Sequence, residues 1–306
     1  MTEIHLPGLL ARQPAGALAS FGLYALFPKA TIRWERCLNT HYPVIQDGLA
    51  GLDHLKMVLL DPKTWRGINL PPTQPVLQDT QYCLSDYDVL FKEDPAIAQG
   101  LGCDQVLFEH KGKTCVGRTP FYGLSRQDKF AKQVGKLLKV LVKEQEKASR
   151  ALIDPGWDML PGPNFSMFPS VTPYRAYKSP AQLLMEKSSK DGKSMTAPLV
   201  MLLALAGLRL FPCYRIRGRK VLTTGWVESH PTRTNGVPEK YCWVYPVFNR
   251  HTSMTTALTW LLHPKLKSYR KHAALWEKAG VDSVYAVGFE KLPGKGCFMM
   301  LLAEQL

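Results

Sequence analysis

APLVMLLALAGLRLFPCYRIRGRKVLTTGW, residues 197–226, joins an apolar run to a basic hairpin, and its reading decides the class of the fold. The apolar part, 197–208, is a dozen residues long before Arg209 follows it. A membrane helix needs ~20, so this run reads as a helix buried inside a folded body. The remainder alternates and turns near Gly218, as two short antiparallel strands do. The expectation is an α+β fold: helices mixed with short antiparallel strands and hairpins, in one large or two closely packed domains.

Working outward, PAGALASFGLYALF (14–27) predicts a small-residue helix that opens on Pro14 and stops at Phe27-Pro28. ATIRW (30–34) reads as a strand, and 48–65 as an amphipathic helix that Asp61-Pro62 stops. YCLSDYDVLF (82–91) and DQVLFEHKGKTCVGR (104–118) read as strands, the second bending at Lys111-Gly112; LPPTQP (70–75) reads as a turn or linker. Ser125 is placed to cap a lysine-rich helix that follows it. A stretch dense in Pro, Gly and aromatics, 154–180, is the candidate boundary. It divides an N-terminal α+β part (1–153) from a C-terminal one (181–306) that carries the basic hairpin. A short polar helix at 180–190, helices at 252–263 and 267–280, and closing strands around Pro293-Gly294 complete the expectation.

The charge balance narrows function more than fold. Thirty-nine Lys and Arg against 25 Asp and Glu leave a formal charge of +14, which favours a polyanionic partner. The N-terminus lacks a basic segment ahead of an apolar run, so no secretory signal is read there, no membrane partner is expected, and a cytoplasmic location is. Seven cysteines with no CxxC pair argue against a disulfide framework or a zinc ribbon. Cys103, His110 and Cys115 resemble half a metal site without its second half, so no metal and no other cofactor is expected.

KFAKQVGKLLKVLVKEQEK (129–147) carries the sharpest functional signal. Lys129, Lys132, Lys136, Lys139, Lys143 and Lys147 recur every three or four residues, opposite a stripe of Phe130, Val134, Leu137 and Leu141. Like charges at this spacing oppose one another by a few tenths of a kcal/mol per pair, and only Glu144 and Glu146 relieve them. A merely solvated face mixes both signs. The lysine face therefore reads as a polyanion-binding surface. Arg215, Arg217, Arg219 and Lys220 form a second basic locus, in which the arginines alternate along a strand. Two readings stand for them: forks for phosphate or guanine, or charges that guard an edge strand. Lys265, Lys267, Arg270 and Lys271 make a third cluster.

Catalytic signatures are missing: no phosphate loop, no HExxH, no GxSxG and no GxGxxG. The histidines are scattered with no carboxylate at a recurrent spacing, and Asp86 with Asp88, or Asp104 with Glu109, are the pairs a metal-dependent nuclease would use. The reading is of a non-enzyme, with such a nuclease, or a structural adaptor, as the alternatives.

Two blocks resemble a known family. HLPGLLARQPAGALASFGLYALF (5–27) is similar to the opening of the large-subunit, motif-recognising proteins of type I CRISPR effector complexes (Cascade), above all the U/G subtype. LALAGLRLFPCYRIRGRKVLTTGW (203–226), followed by YCWVYPVFNRHTSMTTALTWLL, is similar to a downstream block there: "GLxLFP", a basic hairpin, a Thr-Thr-Gly turn and "WPxW". Here Phe248 stands where the second tryptophan is expected. The resemblance spans about a third of the chain. It implies a non-catalytic subunit of a crRNA-guided surveillance complex that touches the protospacer-adjacent motif of target double-stranded DNA and helps to open it. The implied partners are crRNA, which the adaptor alternative would grip, the other Cascade subunits and a recruited nuclease-helicase. Contacts to base edges are then expected from Thr232, Arg233 and Asn235 in SHPTRTNG, and from Asn164 and Ser166 in the Pro-rich stretch.

Overall fold

The computed structural model describes residues 2–66, 83–110, 112–121, 130–154, 160–161, 195–217, 221–228, 241–291, 298–300 and 303–306. Its N-terminal elements are β1 (Glu3–His5), α1 (Pro14–Leu26), β2 (Thr31–Cys37), β3 (Thr40–Gln46) and α2 (Leu52–Leu60). Pro14 takes the first helical position of α1, and Phe27 N–H closes its end onto Leu23 O at 2.8 Å. Strand β2 runs longer than expected and turns through Leu38 and Asn39 into β3, which the sequence reading missed. The helix expected over 48–65 is shorter, with a 3-10 turn at Pro62–Trp65 after it.

The next segment corrects an expectation. The stretch 82–91, read as strand, falls instead largely in α3 (Leu84–Glu93), and α4 (Pro95–Leu101) follows at once. Tyr87 and Leu90 are buried three residues apart, the spacing of a helical stripe, and Asp86 sits favourably in the first turn. Asp94 separates the two helices and caps the second, accepting from Ile97 N–H at 3.0 Å. The hairpin of β4 (Gly102–His110) and β5 (Lys113–Arg118) is as expected, with Gly112 at φ +71° in its turn. Helix α5 (Phe130–Lys143) is interrupted at Glu144 before α6 (Gln145–Arg150). Ser125, the 70–75 turn and the 180–190 helix lie outside the described residues.

Strands β6 (Leu160–Pro161) and β7 (Met195–Thr196) pair and lead into α7 (Pro198–Gly207). Then come β8 (Cys213–Arg215), β9 (Val221–Thr223), β10 (Trp226–Glu228), β11 (Tyr241–Phe248), β12 (Thr252–Ser253) and α8 (Met254–Leu261). The helix expected at 267–280 is a 3-10 segment, Leu266–His272, broken at Ser268, and then α9 (Ala273–Lys278). Strands β13 (Val281–Val287), β14 (Phe289–Lys291), β15 (Phe298–Met300) and β16 (Glu304–Gln305) close the chain.

The fold is α+β. Helix α7 has no polar side chain and is buried on every side. Its closest neighbour is α1, which is buried from Pro14 to Tyr24. The two backbones approach through glycine: a Cβ on Gly22 would overlap the Leu203 carbonyl, and one on Gly207 the Leu18 carbonyl. Around this pair stand two antiparallel sheets, ordered β1-β3-β2-β12 and β10-β11-β13-β16. The first takes three strands from residues 3–46 and the fourth from Thr252 and Ser253, which pair with Ile32 and Thr31. One cluster of buried apolar side chains runs from Ile4 to Ala303, so residues on both sides of 154–180 share a core. No helix among the described residues is long and apolar enough to cross a membrane.

Candidate nucleic-acid interface

Helix α5 is positioned by its apolar stripe. Val134, Leu137 and Leu141 are fully buried, and the helix packs on α7. Burying a leucine side chain contributes about 2 kcal/mol, so the stripe outweighs the few tenths that each lysine pair costs. Lys136, Lys139 and Lys143 are exposed on the opposite side. At about 100° and 1.5 Å per residue, the three fall within a sector of about 60° and extend ~10 Å along the axis. Phe130–Lys143 contains no Asp or Glu.

The break at Glu144 ends this face. Beyond it each cation has an acid: Lys147 Nζ lies 3.4 Å from Glu144 Oε2, and Arg150 Nη2 2.5 Å from Glu146 Oε1. Thus the six-lysine stripe of the sequence contains three lysines that the structure places together without a carboxylate among them. Lys132 lies on the first turn of α5 with its side chain outside the described set, as is that of Phe130, and Lys129 is outside it altogether.

The arginine hairpin is arranged differently from the expectation. Strand β8 stops at Arg215, which is opposite Val221, so Arg217 follows the strand and does not share its face. Arg215 N–H donates to Gln105 Oε1 of β4 at 3.3 Å, where the two hairpins meet. Arg215 and Arg217 are exposed; Arg219 and Lys220 are outside the described residues. Beneath them the Cys213 thiol is pushed up to about 12 by burial, which leaves it protonated and inert. Arg270 and Lys271 are exposed on the 3-10 segment before α9. Asn164, Ser166, Thr232, Arg233 and Asn235 all lie outside the described residues.

The carboxylate pairs do not converge. Asp86 and Asp88 are two residues apart on a helix, about 200° around its axis. Burial raises the pKa of Asp86 against the pull of Lys113. Cys103 and His110 stand seven residues apart along β4. Among the described residues, no three His, Cys, Asp or Glu side chains form a group that could hold a metal.

Sequence reading missed two histidine contacts. His41, 1% exposed, sits between the sheets, with Nε2 2.6 Å from Asp282 Oδ2 and Nδ1 2.8 Å from the Tyr285 hydroxyl. Burial lowers its pKa against the opposing pull of Asp282, and Arg36 lowers it further. The neutral ring donates from Nε2 to the carboxylate and accepts the tyrosine O–H at Nδ1. Tyr285 is fully buried and Asp282 is exposed, so this Asp–His–Tyr chain is a latch between β3 and β13 that runs from the core to the surface. On the outer edge, His251 Nε2 meets Glu3 at 2.7 Å while Arg33 grips the same carboxylate at 2.9 and 3.2 Å. Arg33 and His251 together lower Glu3 to about 2. No spacing signal could have found either pair, since 241 and 248 residues separate the partners.

No protein-family model, no curated protein and no solved structure matches this chain.

Proposed function

We propose that this chain binds nucleic acid without catalysing a reaction, laying α5 along the phosphate backbone of a duplex. The observation that supports this is the exposed row of Lys136, Lys139 and Lys143 on a helix free of acids and anchored by three fully buried apolar side chains. Each lysine that meets a phosphate releases a counterion, so the face supplies affinity without base choice. An anionic membrane would reward the same charge, but an interfacial helix inserts its apolar stripe, and that of α5 is spent in the core.

The finer reading is a large subunit of a crRNA-guided type I CRISPR complex that contacts target duplex DNA beside the recognition motif. It rests on the sequence blocks at 5–27 and 203–226. Both belong to the packed scaffold, since α1 and α7 meet through Gly22 and Gly207. A protein that delegates sequence reading to base pairing needs positive surfaces and no acid–base pair.

The test of the first statement is a salt titration of labelled duplex binding, with the Lys136→Glu, Lys139→Glu, Lys143→Glu triple variant beside the wild type. The expected result is a large loss of affinity and a salt slope reduced by about 2–3, at roughly 0.9 per phosphate contact. Unchanged affinity and slope refute the α5 interface. The finer reading is tested at the gene's own locus and by co-expression: it requires a CRISPR array and backbone-subunit genes beside this gene, and co-purification of the chain with their products and crRNA, and failure of either removes it.

A further inference from the structure

The corner formed by α8, the 3-10 segment and α9 holds a second grouping. Trp276 is fully buried at its floor, with Trp260 at 5.2 Å, His263 edge-on at 5.4 Å and Tyr269 at 5.9 Å between ring centroids. Trp260 and His263 lie 5.2 Å apart with their planes 34° from parallel. These last three rings are only half-buried, so each keeps part of its surface in solvent, and Leu262 beside them is 65% exposed. Lys265 N–H donates to His263 Nδ1 at 3.2 Å, which fixes the ring and leaves the hydrogen of the neutral imidazole on Nε2. The buried indole N–H of Trp276 has no hydrogen-bond partner among the described residues.

The rim is cationic. Lys265, Arg270 and Lys271 are exposed, and none of them has a carboxylate partner among the described residues. Asp282, whose charge reaches Tyr269, is engaged by His41. A cationic guest among aromatic rings would be repelled by this rim. An anion carrying a flat π-surface would find both halves of its chemistry met. Duplex nucleic acid hides its base faces, whereas a single strand offers them.

We propose that this corner is a stacking platform for single-stranded nucleic acid, with Trp260 against a base and Lys265, Arg270 and Lys271 along the backbone. It rests on the nucleic-acid-binding reading above and adds a second ligand form at a separate place. Stacking of this kind tolerates any base, so the platform selects strandedness and not sequence.

The experiment measures the full chain by fluorescence anisotropy against oligothymidine of about ten nucleotides and against an abasic phosphodiester of equal length, a size that single-strand sites commonly span. Oligothymidine is expected to bind about tenfold more tightly than the abasic strand. Trp260→Leu, which keeps apolar packing, should abolish that ratio, and Trp260→Phe should retain most of it. The Lys136/Lys139/Lys143 glutamate variant should leave the ratio in place. Equal affinity of the wild type for both strands, or a ratio that survives Trp260→Leu, overturns the platform and leaves the α5 reading standing. Binding to no duplex and no single strand overturns both.

Discussion

The Nε2 of His41 lies 2.6 Å from the Asp282 carboxylate, joining β3 to β13 across 241 residues of chain. Tyr285 holds the other ring nitrogen, and the backbone around this contact is itself tied: Ala11 N–H donates to His41 O at 2.7 Å, and Arg12 N–H to Thr40 Oγ1 at 3.1 Å. His41 thus holds the N-terminal loop through its backbone carbonyl and joins the first sheet to the second through its ring.

This latch gives a pH dependence. The unfolded chain takes up the His41 proton near the ordinary value of 6.5, and the folded chain only below it, because burial outweighs the pull of Asp282. The contribution is therefore complete above about pH 6.5 and lost as pH falls through the folded value. Urea midpoints measured between pH 8 and pH 5 should fall for the wild type and change less for His41→Gln. The variant should be about 1–3 kcal/mol less stable at the upper end.

The approach of α1 and α7 predicts opposite signs for glycine replacements. Gly22→Ala drives a methyl into the Leu203 carbonyl, a backbone atom that cannot swing away. It should cost about 3 kcal/mol or more, at the upper end of overpacking effects. Gly135→Ala, on α5 with nothing within 4 Å of the added Cβ, should stabilise by about 0.5–1 kcal/mol. Chemical denaturation of the two variants checks both signs at once.

Asp94 holds two structures together. It caps α4, and its Oδ2 accepts from Arg209 Nη2 at 2.6 Å and Nε at 3.0 Å, with both side chains largely buried. Asp94→Ala should cost about 3–5 kcal/mol, because it leaves the guanidinium desolvated without its partner. Asp94→Asn keeps a capping oxygen and should recover about 1 kcal/mol of that loss. Thermal unfolding of the pair separates the cap from the charge.

The acids beyond the break of α5 should act as brakes on polyanion binding. Glu144→Gln with Glu146→Gln releases Lys147 and Arg150 from their 3.4 and 2.5 Å contacts. In the proposed interface, duplex affinity should rise several-fold at low salt, with a salt slope steeper by as much as about 2. Stability should change by no more than about 1 kcal/mol, since both pairs are at the surface. Anisotropy titrations at two salt concentrations measure it.

Legibility in the sequence followed the range of the signal. Helix α7 was plain because it has no polar residue to contradict burial, and α1 because small residues follow a starting proline. The stripe of Val134, Leu137 and Leu141 was equally plain, three residues that share one side at helical spacing. Helix α3 was misread because a short mixed run such as LSDYDVLFKE fits either period, and burial of Tyr87 with Leu90 chose the helical one. Strand β3 escaped notice, its THYPVIQ interrupted by Pro43, although it is the strand that β1 and β2 both join.

By itself the sequence determined the α+β class, the buried helices and the existence of a lysine face, since each depends on neighbours a few residues apart. Only the tertiary structure decided that Arg209 keeps company with Asp94, that β8 ends at Arg215, and that His41 meets Asp282. Local periodicity is set by the geometry of one helix or strand, which every residue in it shares. Contacts across hundreds of residues depend on how the chain closes around its core, and no local pattern carries that.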